Sequence, residues 1–88
     1  MKEASRTTIN VTLKKRCKDS GSWHMTITNW KQDRSIEVIK NGATFVLREK
    51  GHQHLQKKNL NRQKVMALVQ KQIDVEFPGS HKMYLEIN

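Results

Sequence analysis

Lys14, Lys15, Arg16 and Lys18 crowd four cations into one short stretch, and Lys57, Lys58, Arg62 and Lys64 form a second such group. Side chains of this kind neutralise phosphates and release the counterions condensed on a nucleic acid, and Arg adds a planar fork that fits a phosphate or a guanine edge. Arg48, Lys50 and Lys71 extend the second group, and the spacing places it on a loop and an outer helix face. Trp30 stands beside Lys31 and Arg34, where an indole next to cations could stack on a base or wedge into a groove. A solvated basic surface and a Trp packed under a loop are the plainer readings of the same residues.

Charge along the chain favours the first reading. Seventeen Lys and Arg against eight Asp and Glu leave the 88 residues at +9. Residues 1–34 hold eight basic and three acidic side chains, and residues 48–71 hold seven and one. Like charge gathered in two blocks repels itself, and a polyanion relieves that repulsion. Nucleic acid is the expected partner, DNA before RNA. The aromatics (Trp23, Trp30, Phe45, Phe77 and Tyr84) are too few for a base-stacking platform, which favours contact with a duplex backbone. An acidic patch on a host protein would attract the same charge.

Other chemistries find less support. His52-Gln53-His54 is the one close histidine pair, and with His24, His81 and Cys17 it lacks the paired spacing of a zinc site. No metal and no cofactor is expected. Cys17 has no identifiable activating histidine, and Asp33, Glu37 and Asp74 form no local carboxylate group for Mg²⁺. The chain is therefore expected not to be an enzyme, with a small ribonuclease toxin using His24 or His81 beside a Lys as the minor alternative. A lone Cys excludes an internal disulfide and suits a reducing, cytoplasmic compartment. No apolar run approaches a membrane span, and no signal-peptide pattern follows the basic start.

These residues must be carried by a small core, since a chain of this length buries only about 60–65% of its unfolded surface. Ile9, Val11 and Leu13 alternate with polar residues, which predicts a strand over Thr7–Leu13, and residues 19–22 read as a turn. Trp23, Met25 and Ile27 predict a second strand with an apolar face. Asn41-Gly42, between Ile36-Val38-Ile39 and Phe45-Val46-Leu47, predicts a tight hairpin with a type I′ turn. His52 to Asn59 is polar and reads as irregular. Val65, Met66, Leu68, Val69 and Ile73 form one helical stripe between about Leu60 and Ile73, capped by Asn59 or Asn61. Val75 and Phe77 predict a short strand, residues 78–80 a turn, and Met83, Leu85 and Ile87 a last strand. The expected fold is α+β: one domain over residues 1–88, with an antiparallel sheet of five to six strands and one helix on one face, in the order ββββαββ.

From Trp23 onward the layout resembles the C-terminal double-wing DNA-binding domain of MotA-type phage transcription activators. The resemblance rests on Trp23-His24-Met25-Thr26-Ile27, on Ser35-Ile36-Glu37-Val38-Ile39-Lys40-Asn41-Gly42, on Val69-Gln70-Lys71 and on Tyr84-Leu85-Glu86-Ile87. It implies DNA contact through strands and wings, with Lys31, Arg34 and Lys40 as candidates. The polymerase-binding N-terminal domain of that family has no counterpart here. The sequence thus predicts a phage- or mobile-element-like DNA-binding regulatory module. Lys14, Lys15, Arg16, Lys31 and Arg34 would form one contact region, with Trp30 as a probe beside it, and Lys57, Lys58, Arg62 and Lys64 another. The alternative is a small basic inhibitor that binds an acidic surface of a host nucleic-acid enzyme, and pairing of two copies through a sheet edge stays open.

Overall fold

Gly42 turns the chain in the hairpin that organises the sheet. The computed structural model, which describes residues 2–18, 21–30, 33–51, 54–77 and 83–88, pairs Asn41 with Thr44 across the Gly42-Ala43 loop. Gly42 has φ +63° and Ala43 does not share the positive sign. That is the type II′ pattern, one residue along from the expected I′ turn, and it needs Gly at the first loop position.

The elements run β1 (Lys2–Ala4), α1 (Arg6–Arg16), β2 (Trp23–Thr28), β3 (Ser35–Asn41), β4 (Thr44–Lys50), β5 (His54–Leu60), α2 (Arg62–Glu76) and β6 (Met83–Ile87). The strands form one antiparallel sheet in the order β1-β6-β2-β3-β4-β5. Both helices cover the same face. Met25, Ile27, Ile36, Val38, Phe45, Leu47 and Met83 point into a core that Ile9, Leu13, Val65, Val69 and Ile73 close from the helices. Trp23 packs on Phe45 at 6.1 Å between ring centroids, and its indole N–H donates to the Arg16 carbonyl at 2.9 Å. Trp23 and Phe45 are thus core residues.

The α+β class and the antiparallel sheet stand, whereas the element order and the single helix need correction. Residues 6–16 are a helix, not a strand. Ile9, Leu13 and Cys17 are buried at i, i+4 and i+8, while Val11 is 49% exposed. Positions 9 and 13 fit either period, so only Val11 separates the readings. The Ser5 hydroxyl caps α1 by accepting from the Thr8 amide at 3.1 Å, and Lys14, Lys15 and Arg16 suit the negative end of the helix dipole. Residues 54–60 form an edge strand where an irregular stretch was expected. They read as polar because one edge and one face of β5 meet solvent. Val75 belongs to α2, which continues to Glu76. The Phe77 amide donates to the Ile73 carbonyl at 2.9 Å, and Arg34 Nη1 donates to the Glu76 carbonyl at 3.1 Å. A cation from the start of β3 thereby serves a helix end that has no basic residue in its own last turn. The turn at 78–80, Asp19-Ser20 of the first turn, Lys31, His52 and His81 lie outside the described residues.

Arg6 ties the helices together. It reaches Asp74 Oδ1 at 2.5 Å, Gln70 Oε1 at 3.0 Å and the Gln70 carbonyl at 3.2 Å. Among the described residues, no helix is long and apolar enough to cross a membrane.

Candidate nucleic-acid interface

Strand register decides which cations meet. Trp23, Lys40, the Gly42-Ala43 loop and Leu60 lie at one end of the sheet, and Thr28, Ser35, Lys50 and His54 at the other. The Trp23–Arg16 hydrogen bond brings the C-terminal end of α1 to the first end. There α2 also begins, with the Asn61 side chain accepting from the Lys64 amide at 2.8 Å. Lys14 of α1 and Lys18 in the turn just after it therefore line one groove with Arg62, Gln63 and Met66 of α2. Across α2, Lys57, Lys64 and Lys71 line a second groove over Leu60 and Leu68. Positions 64, 68 and 71 share one side of the helix, and Lys57 pairs with Leu47 on the helix-facing side of β5.

Lys14 and Lys18 of the first sequence cluster thus meet Arg62 of the second. Lys14, Lys15, Arg16, Lys18, Lys57, Lys58, Arg62 and Lys64 are all exposed. The ion pair of Arg6 with Asp74 and those of Glu37 with His24 and Arg48 lie away from this surface. Such a surface concentrates positive potential at one end of the molecule.

Three other candidates fall outside this cluster. Lys40 is only 5% exposed, and its ammonium donates to the carbonyls of Gly21 at 2.9 Å and Gly42 at 2.7 Å, holding two loops together. Arg34 is half-buried at the opposite end, on the Glu76 carbonyl. Trp30 is also at that end, 77% exposed, with its ring 5.7 Å from Tyr84 on the sheet face away from the helices. The expected grouping of Trp30 and Arg34 with Lys14–Lys18 does not form. Cys17 is buried, and burial raises its thiol pKa while Arg62 and Lys40 oppose the shift. It has the character of a packed thiol rather than a nucleophile.

The helix-free face carries a constellation that sequence reasoning missed. Arg48 and Lys50 point to this face of β4, not to the outer helix face. His24 of β2, Glu37 of β3, Arg48 of β4 and His54 of β5 follow one another across four adjacent strands. His24 Nε2 lies 3.5 Å and Arg48 Nη1 3.9 Å from Glu37 Oε2. A cleft of about 490 Å³ is lined by Ser35, Glu37, Arg48, Lys50, His54 and Gln56. The available signal was strand alternation, which puts residues 24, 37 and 48 opposite the apolar face, but the order of strands is not local information. No family model, no curated protein and no solved structure matches the chain.

Proposed function

We propose that this protein is a nucleic-acid-binding module that captures a duplex, DNA before RNA, through phosphate contacts at its basic end. The observation that carries the reading is the convergence of two basic segments, far apart in sequence, on the junction of α1 and α2. Lys14, Lys18 and Arg62 form the centre of the contact, with Lys15, Arg16, Lys57, Lys58 and Lys64 around it. The two grooves give a backbone places to lie, while the lysine stems cover apolar helix surface and present their heads to phosphate. The double-wing resemblance supports the same function, and the Gly42-Ala43 hairpin stands at the basic end as a wing that could reach the duplex. A regulatory role in a phage or mobile element, within the cytoplasm, follows from the same reading.

The test is fluorescence-anisotropy titration of duplex DNA, single-stranded DNA and duplex RNA over a range of salt concentrations. Tight, salt-steep binding to a duplex, weakened in the Lys14→Ala/Lys18→Ala/Arg62→Ala variant, is the expected result. Unchanged affinity in that variant removes the basic end from the reading. Binding no tighter than that of an unrelated protein of equal charge redirects the search to an acidic protein partner.

A further inference from the structure

The helix-free sheet face holds groups suited to reaction chemistry. Glu37, Arg48 and His54 line one cleft: a carboxylate, a guanidinium and an imidazole from three adjacent strands. Lys50 and Ser35 stand at its rim with His54, in one cross-strand row. The guanidinium sits between the other two groups in strand order, and Arg48 pairs directly with Glu37 on one side and Gln56 on the other. Outside the cleft, the Nε2 of His24 is shielded from solvent and faces Glu37 at 3.5 Å. A base and an acid flanking a cation is the arrangement that phosphodiester transfer needs. The acid and base move protons to and from the entering and leaving oxygens, and the cation stabilises the charge gathering on phosphorus. The cleft volume lies in the range of small-ligand sites, about 300–1,000 Å³.

We infer that this cleft is a ribonuclease site that cleaves single-stranded RNA by internal transfer to the 2′-hydroxyl. The Glu37 carboxylate removes the proton from the 2′-OH. The 2′-oxygen attacks phosphorus and forms the new P–O2′ bond, while the P–O5′ bond breaks. The imidazolium of His54 gives its proton to the departing 5′-oxygen. The products are a 2′,3′-cyclic phosphate and a 5′-hydroxyl. Arg48 and Lys50 hold the non-bridging oxygens throughout. His24 is a positioning residue that orients the Glu37 carboxylate. Single strands are the substrate because a wide sheet face admits splayed nucleotides, and Trp30 on Tyr84 offers a neighbouring base a stacking surface. RNA is required because DNA lacks the attacking hydroxyl. The activity does not rest on the basic end, so it stands or falls separately from duplex capture.

The experiment uses the full chain with an end-labelled single-stranded RNA oligonucleotide in the presence of EDTA, and products are identified by mass spectrometry. The all-deoxy oligonucleotide of the same sequence is the control. The expected result is RNA cleavage to cyclic-phosphate ends with the deoxy strand intact. Glu37→Gln and His54→Asn should each lower the rate by at least about 100-fold, with the far-UV circular dichroism and duplex affinity of the wild type. His24→Asn should lower kcat with KM nearly unchanged, as loss of base orientation requires. Absence of cyclic-phosphate product from the wild type overturns the inference, and so does equal cleavage by folded Glu37→Gln. If Glu37→Gln fails to fold, His54→Asn on the exposed edge strand decides: undiminished cleavage overturns the assignment.

Discussion

Glu49 lies 4% exposed on the helix-facing side of β4, beside Glu76 at the end of α2, and neither of its oxygens meets a donor among the described residues. Two buried carboxylates cannot both ionise cheaply, so a proton on one of them makes it a donor to the other. Burial first, then the hydrogen bond and charge of Glu76, push the Glu49 carboxyl up to about 8 from 4.5. The folded state therefore holds a proton that the unfolded chain releases. This contribution to stability is full below the unfolded value and is lost as pH rises through the interval up to about 8. Thermal melts should show Tm falling between pH 5 and 9. Glu49→Gln should flatten that fall and raise Tm at pH 9, by on the order of 5 °C for each kcal/mol relieved. Lys40 shows the opposite use of a buried charge. With both carbonyl acceptors in place it is satisfied, and Lys40→Met should cost about 1–3 kcal/mol in urea melts by stranding them.

At the scale of elements, α1 carries the clearest test, because strand and helix readings disagree about one residue. In the helix, Val11 faces water and Leu13 is fully buried. Val11→Lys should change stability by no more than about 0.5 kcal/mol. Leu13→Ala should cost about 2–5 kcal/mol. A strand would bury both and make both substitutions costly. For α2, Asn61→Ala removes the acceptor of the Lys64 amide and should cost about 1 kcal/mol, a drop in Tm of about 4–8 °C. Past β4 the chain runs under Glu76. A Cβ on Gly51 would stand 2.9 Å from Arg34 Cγ and collide with Glu76 Oε1, at φ +155°. Gly51→Ala should therefore destabilise by more than about 1 kcal/mol in the same melts. β5 keeps Lys57 and Lys58 on an otherwise open edge, which opposes pairing with another sheet.

The whole molecule is two-sided. The helices and the basic end form the surface proposed to meet a duplex, and the helix-free sheet face, with its cleft and the Trp30–Tyr84 pair, forms the one proposed for RNA cleavage. The sheet between them carries apolar residues to one side and polar ones to the other, so substitutions on the two surfaces should act independently. Removing Lys14, Lys18 and Arg62 together should lower the slope of log affinity against log salt by about 2.7 if all three meet phosphate on a duplex. Replacing His54 should leave that slope unchanged. Salt titrations of both variants on one duplex check this directly.

Composition and pattern alone determined the polyanion expectation, the α+β class, the central β2-β3-β4 meander and the apolar stripe of α2. These are local properties: charge is additive along a chain, and alternation or helical periodicity is written within a single element. The fate of residues 6–16 depended on which face met the core, since Ile9 and Leu13 satisfy both periods and only the packed helix leaves Val11 outside. β5 was hidden because an edge strand with one wet face needs few apolar residues. Only the tertiary structure joined Lys14 and Lys18 to Arg62, buried Lys40, moved Trp30 to the far end and aligned Glu37, Arg48 and His54. Each of these depends on strand order and register, which long-range pairing sets and no local window contains.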